Sequence, residues 1–125
     1  RTGAQTGSTL SINPAAASIE VGGSLDFEVV IEIEEGRNYA GGSYVLRYDD
    51  TVLELDSFAL GAGFFGSVNT QTSGEIRFNT IDLNGREGAV VLGSGTFRGV
   101  VLGTSLVDLQ LAEAPTIVAL RLYRI

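Results

Sequence analysis

The chain has 125 residues, 44% of them hydrophobic and 18% charged, with 8 basic residues against 15 acidic ones for a net charge of −7. That length supports a single folded domain burying roughly two-thirds of its unfolded surface, and the composition is too apolar and too lightly charged for disorder. The acidic balance argues against binding to phosphate backbones or anionic membrane surfaces, and no apolar run approaches the roughly 20 residues of a membrane-spanning helix.

In chain order, Arg1 to Ser8 reads as a loose leader ahead of a domain over 9–125. A chain that opens on Arg1 with no initiator Met or signal peptide is expected to be a processed protein or, in preference, a module of a longer one. Leu10 and Ile12 alternate before Pro14, and Pro14–Ser18 is the one stretch with the spacing of a helical turn. From Leu25 the sequence alternates for nine residues. Leu25, Phe27, Val29, Ile31 and Ile33 share one face of a strand, and Asp26, Glu28, Glu32 and Glu34 share the other. Tyr44, Leu46 and Tyr48 alternate before Asp49-Asp50, and Leu53 and Leu55 follow. Ile76, Phe78 and Thr80 form another such run, then Val107, Leu109 and Leu111, and the last ten residues are apolar on both faces.

Turn signals punctuate these runs at Gly22-Gly23, Glu35-Gly36, Gly41-Gly42, Asp49-Asp50, Ser73-Gly74, Asn84-Gly85 and Gly103-Thr104. Thr72-Ser73-Gly74 reads as a hairpin turn, and Asn84-Gly85 carries the residues of a type I′ hairpin. About eight or nine short strands joined by Gly-rich turns predict a single-domain, all-β sandwich of jelly-roll topology.

The chemistry available to this chain is narrow. It lacks Cys, His, Met, Trp and Lys, which removes thiolate and imidazole catalysis and the usual ligands of zinc, copper and iron. Asp49 and Asp50, with Glu54 or Asp56, could offer oxygens to calcium. The spacing of a calcium loop is missing, however, and a turn in which Asp49 accepts backbone N–H groups fits better. Paired carboxylates suit glycosidase chemistry, but a small sandwich offers little room for a water-excluding cleft. No catalytic residue, metal or cofactor is therefore expected. A sugar-binding strip needs exposed rings, usually including Trp, which this chain lacks. Phe27, Tyr44, Tyr48 and Phe78 lie on inward-alternating positions, and Tyr39, Phe64, Phe65 and Tyr123 are the exposed candidates, with one of the Phe64-Phe65 pair expected in the core. The acidic face of the long strand reads as a solvated surface that discourages edge pairing.

The order of these features resembles the cohesin modules of cellulosome scaffoldins and related bacterial and archaeal surface proteins. The resemblance rests on Ile19-Glu20-Val21-Gly22-Gly23-Ser24 leading into the long strand. It rests most of all on Ala40-Gly41-Gly42-Ser43-Tyr44-Val45-Leu46-Arg47-Tyr48-Asp49-Asp50-Thr51-Val52-Leu53, which is similar to the family's aromatic strand ending in Y-D-x-x-V-L. Gly61-Ala62-Gly63-Phe64-Phe65, Gly93-Ser94-Gly95-Thr96-Phe97 and Gly103-Thr104-Ser105-Leu106 match more loosely. The resemblance implies a non-catalytic, extracellular docking module within a larger protein. Its partner would be a dockerin, a small calcium-loaded helical module, held on the outer face of one sheet. Carried across, the partner-binding set is Ser43, Val45, Arg47, Asn69, Gln71, Arg77, Asn79 and Ile81, with a shallow apolar patch around Val45 and Ile81. One departure stands out: many dockerin-binding cohesins carry Asn and Asp where this chain has Gly41 and Ser43. The polar anchors for a standard cellulosomal dockerin are thus missing, which leaves open a divergent partner or none. A carbohydrate-binding module of similar fold and a structural spacer of a surface protein are the alternatives.

Overall fold

The computed structural model describes residues 9–14, 16–33, 39–86, 88–111 and 114–124, with side chains at all of these except 39–40, 82–86 and 114–122. The expected leader, the Glu34-Glu35 end of the acidic stripe, the Glu35-Gly36 turn, Glu87 and the ring of Tyr39 lie outside what is described. Ten strands occur among the described residues. They are β1 (Thr9–Asn13), β2 (Ala16–Ser18), β3 (Ser24–Ile33), β4 (Tyr39–Arg47), β5 (Leu53–Leu60), β6 (Phe65–Asn69), β7 (Glu75–Arg86), β8 (Gly88–Gly99), β9 (Thr104–Leu111) and β10 (Ala114–Arg124).

The strands form a four-stranded sheet in the order β1-β3-β8-β5 and a six-stranded sheet in the order β2-β10-β9-β4-β7-β6. The expectation of an all-β jelly-roll sandwich therefore holds. The alternation read in β3 is the burial pattern found: Phe27, Val29, Ile31 and Ile33 are buried and Asp26, Glu28 and Glu32 exposed. The core closes between the inner faces of the two sheets. Leu53, Val90, Leu92 and Phe97 join β3 from the four-stranded side, and Tyr44, Leu46, Ile76, Phe78, Val107, Leu109 and Tyr123 come from the other.

Aromatic rings link the two layers. Tyr48 packs on Phe97 at 4.9 Å between centroids, Phe97 stacks on Phe27 at 4.4 Å, and Phe27 lies 6.0 Å from Phe58. Phe58 crosses to Phe78 at 5.0 Å, and Phe78 meets Tyr44 at 5.2 Å. Such offset and tilted pairs contribute beyond their buried area. Space for them comes from β8. A Cβ on Gly93 would lie 2.6 Å from the Phe58 ring, and one on Gly95 would lie 3.0 Å from the Phe27 ring and 2.3 Å from the Ser57 carbonyl oxygen.

Three readings of the sequence need correction. Asn84-Gly85 lies within β7 rather than in a hairpin, because its flanking strands pair elsewhere: β7 with β4 and β8 with β3. The chain changes sheets there instead, and Gly88 sits at a φ of +77°. No helical turn occurs among the described residues of 14–18; Ala16–Ser18 instead pair in parallel with Leu122–Arg124 of β10, which gives their backbone groups partners along one edge. Tyr123, expected among the exposed rings, is fully buried and donates its hydroxyl to the Pro14 carbonyl at 2.9 Å. By contrast, Thr72-Ser73-Gly74 does turn the β6–β7 hairpin, with Gly74 at a φ of +82°.

The tight fit at Gly95 yields a prediction. Gly95→Ala should lower stability by about 1–3 kcal/mol through overpacking. Chemical denaturation would show this as a lower midpoint at unchanged slope; wild-type stability would mean that the rings are not seated on β8 as described.

Candidate docking face

The outer face of the six-stranded sheet follows from parity. Tyr44, Leu46, Ile76, Phe78, Val107 and Leu109 point into the core, so their alternates on β4, β7 and β9 point out. Register then sets them in rows, since directly paired residues share a face. Phe65 stands beside Ile81, and Ser67 beside Asn79, which in turn faces Ser43. The next row runs Asn69, Arg77, Val45, Gln110, and the one beyond it Glu75, Arg47, Asp108.

Seven of the eight residues named from the sequence occupy this one face. Gln71 does not. It lies beyond the end of β6, where its backbone N–H donates to Asn69 Oδ1 at 2.9 Å, and it lines a separate cleft with Tyr48, Asp50 and Glu54. Burial in that region raises the Tyr48 phenol above its ordinary pKa.

Val45 is on the face but is only 3% exposed, so the apolar patch does not centre on it. It sits between Arg77 and Gln110 and two residues from Arg47, and the aliphatic stems of such long side chains cover a small β-branched neighbour. The exposed apolar corner is formed instead by Phe65, at 63%, and Ile81, at 49%. Phe64, the other half of the pair, packs against the core. Sequence reasoning singled out Phe65 as an exposed ring without placing it on this face. The missing signal was the hairpin register that sets it opposite Ile81.

The polar centre is largely self-bonded. Asn79 Oδ1 accepts the Ser67 N–H at 3.0 Å, and its amide donates to Ser67 Oγ at 3.2 Å. Arg77 Nε donates to Glu75 Oε2 at 2.5 Å, and Arg47 Nε lies 3.4 Å from Glu75 Oε1. Arg47 also donates through Nη1 to Gln110 Oε1 at 2.7 Å. A single carboxylate is thus shared by two arginines whose side chains remain about half exposed, 41% for Arg47 and 51% for Arg77. Asp108, the next residue along from Arg47, is held above the usual carboxylate pKa by burial, partly offset by the Arg47 charge.

The corner below the face is the turn expected at Asp49-Asp50. Asp49 Oδ1 accepts the Thr51 N–H at 2.9 Å and the Thr51 hydroxyl at 2.6 Å, which hold its carboxyl below the usual value. The backbone N–H of Asp49 donates to the buried Ser105 Oγ at 3.0 Å, tying this corner to β9.

Comparison with solved structures places the whole arrangement. The sandwich matches the seventh ScaB type I cohesin from Pseudobacteroides cellulosolvens with a TM-score of 0.71 at 18% identity, over 94% of this chain and 90% of that one. It matches the sixth cohesin of Acetivibrio cellulolyticus scaffoldin B, solved in complex with a dockerin, at 0.72 and 17% identity, over 96% and 99%. A non-cellulosomal cohesin from the archaeon Archaeoglobus fulgidus gives 0.70 at 17% identity, over 94% and 90%. The chain has the cohesin fold. At the level of sequence no family model matches, and no curated protein does either.

Two outcomes follow. Val45→Asp should cost about 3 kcal/mol or more of folding stability, since it buries a charge, and would register in denaturation before any binding assay. A fully stable Val45→Asp domain would show that the site is open after all. Asp49 has a depressed folded pKa, so its contribution is complete at neutral pH and disappears as the pH falls through that value. The gap in melting temperature between wild type and Asp49→Ala should therefore be constant above about pH 5 and close below about pH 4. A gap that persists in acid would exclude the charged turn as its source.

Proposed function

We propose that this domain is a non-catalytic, extracellular docking module of a larger protein, and that the outer face of its six-stranded sheet binds a calcium-loaded dockerin-type partner. The observation that carries this reading is the fold, shared over nearly the whole chain with cohesins solved in complex with dockerins. The face supports it. An exposed Phe65–Ile81 corner beside a bonded polar field suits an amphipathic helix, with apolar residues over the corner and acceptors toward Arg77 and Arg47. Buried aromatic and arginine anchors dominate the energetics of such interfaces. The sugar-binding alternative loses its row of rings: among the described side chains Phe65 is the exposed aromatic, and one ring cannot form a stacking strip.

Calorimetric titration with the dockerin modules of the same genome, first with calcium and then with chelator, tests the proposal. One-to-one binding that chelator abolishes is expected. Phe65→Ala should then weaken it roughly thirty-fold, equivalent to about 2 kcal/mol at a hot spot, without lowering the melting temperature. Full affinity in a Phe65→Ala, Arg77→Ala double variant would move the partner to another surface.

A further inference from the structure

A cleft of about 380 Å³ opens at the side of the sandwich, where the edge strand β5 of one sheet meets the β6–β7 turn of the other. None of its lining residues belongs to the docking face, and its size lies at the small end of ligand sites, about 300–1,000 Å³. Its three walls are tied to one corner of the chain. The Tyr48 N–H donates to the Gly74 carbonyl at 3.0 Å and holds the turn. The Leu53 N–H donates to the Asp49 carbonyl at 3.0 Å and holds β5, and the Val100 N–H donates to the Val52 carbonyl at 2.8 Å and holds the stretch after β8. The cleft is therefore formed in advance, and a ligand does not have to order it.

Its floor is apolar and its rim polar. Leu53 is fully buried, Leu55 half-buried and Val100 exposed. Tyr48 accepts the Gly74 N–H at its phenol oxygen. Neither the phenol's own proton nor the side chains of Asp50, Thr70 and Gln71 bond to a protein group among the described residues. Glu54 is the exception, since it pairs with Arg98. This is the reverse of the docking face, where polar side chains bond to one another. The inventory selects the ligand. Asp50 and Glu54 repel an anion. A purely apolar group would strip water from Tyr48, Asp50 and Gln71 and put nothing in its place. An ammonium or guanidinium has donors only, so it would pair Asp50 and leave the Tyr48 O–H and the Gln71 amide hydrogens without an acceptor. A ring carrying several hydroxyls meets every requirement, because each hydroxyl both donates and accepts and the C–H face is apolar.

We propose that this cleft is a binding site for a single neutral sugar ring, separate from the docking face. Asp50 accepts from two adjacent hydroxyls, Tyr48 and Gln71 donate to sugar oxygens, and the C–H face lies against Leu55 and Val100. The device differs from the stacking strip excluded above, which needs a row of exposed aromatic rings; a cleft holds one sugar by its edges. The proposal does not rest on the docking reading.

Titration of the isotope-labelled chain with glucose, galactose and mannose, followed through its amide NMR shifts, tests the site. Saturable shifts are expected at Tyr48, Gln71, Ser73, Gly74 and Val100. The dissociation constant should be on the order of a few millimolar, since one ring without aromatic stacking makes few contacts. Asp50→Ala and Gln71→Ala remove exposed side chains that bond to no protein group, so the melting temperature should not change. Each should weaken sugar binding roughly five-fold or more, the effect of one lost hydrogen bond. Cellobiose and maltose distinguish the source of the ring: tighter binding than glucose marks the end of a glycan chain, and equal binding marks a free monosaccharide. Absence of saturable shifts up to about 100 mM sugar overturns the proposal. So do shifts scattered outside the cleft, unaltered affinity in both variants, or arginine chloride acting on the same amides at lower concentration than any sugar. Each of these results leaves the docking reading standing.

Discussion

Six aromatic rings hold the two layers in register. Phe27, Phe58 and Phe97 belong to the four-stranded sheet, Tyr44 and Phe78 to the six-stranded one, and Tyr48 lies just past the end of β4. Because Phe78 and Tyr44 are fixed on β7 and β4 from within, the alternate residues of the same strands are fixed outside. The orientations of Arg77, Asn79, Ser43 and Arg47 are therefore set by core packing, and no ligand is needed to order them. The glycines of β8 belong to the same arrangement, since the rings lie where side chains at Gly93 and Gly95 would be.

On that support the outer face separates into two kinds of surface. Its apolar corner is small and exposed, and its polar field is cross-bonded, with Glu75 serving two arginines and Asn79 bonded to Ser67. Side chains already held by neighbours have little conformational entropy left to lose. The face thus combines one exposed apolar corner with a cross-bonded polar field, and it has Gly41 and Ser43 at the two positions where the resemblance places Asn and Asp in many cohesins. Gly41 could not carry a side chain without a shift, because its Cβ would lie 2.5 Å from the Thr80 carbonyl oxygen.

Much of this was legible before any coordinates. Period-two patterning identified β3, β4 and β7, and the family resemblance combined with alternation assigned Ser43, Arg47, Arg77 and Asn79 to an outward face. Alternation, however, reports which side of a strand a residue takes and not which strand lies next to it. The adjacency of β9 to β4, which brings Asp108 and Gln110 to the face, depends on pairings between residues some sixty positions apart and leaves no local mark. Val45 was misjudged for the same reason: an outward valine is exposed only if its neighbours are short, and here they include Arg77 and Gln110. Asn84-Gly85 has the chemistry of a hairpin, yet tertiary pairing with β4 carried the strand through it.

Successive strands alternate between sheets for most of the chain, and among the described residues only β6–β7 and β9–β10 are sequence neighbours that pair. The face therefore has no existence in a partial chain. Its centre is β4, but its second flank is β9, and the rings that orient it come from strands scattered from β3 to β8. During synthesis an emerging chain would expose an apolar β3 and a half-paired β4 until β8 and β9 had left the ribosome, an interval in which unpaired edges invite association. The presence of this face is then a report that the chain has been made at least through Leu111 and has found its long-range pairings.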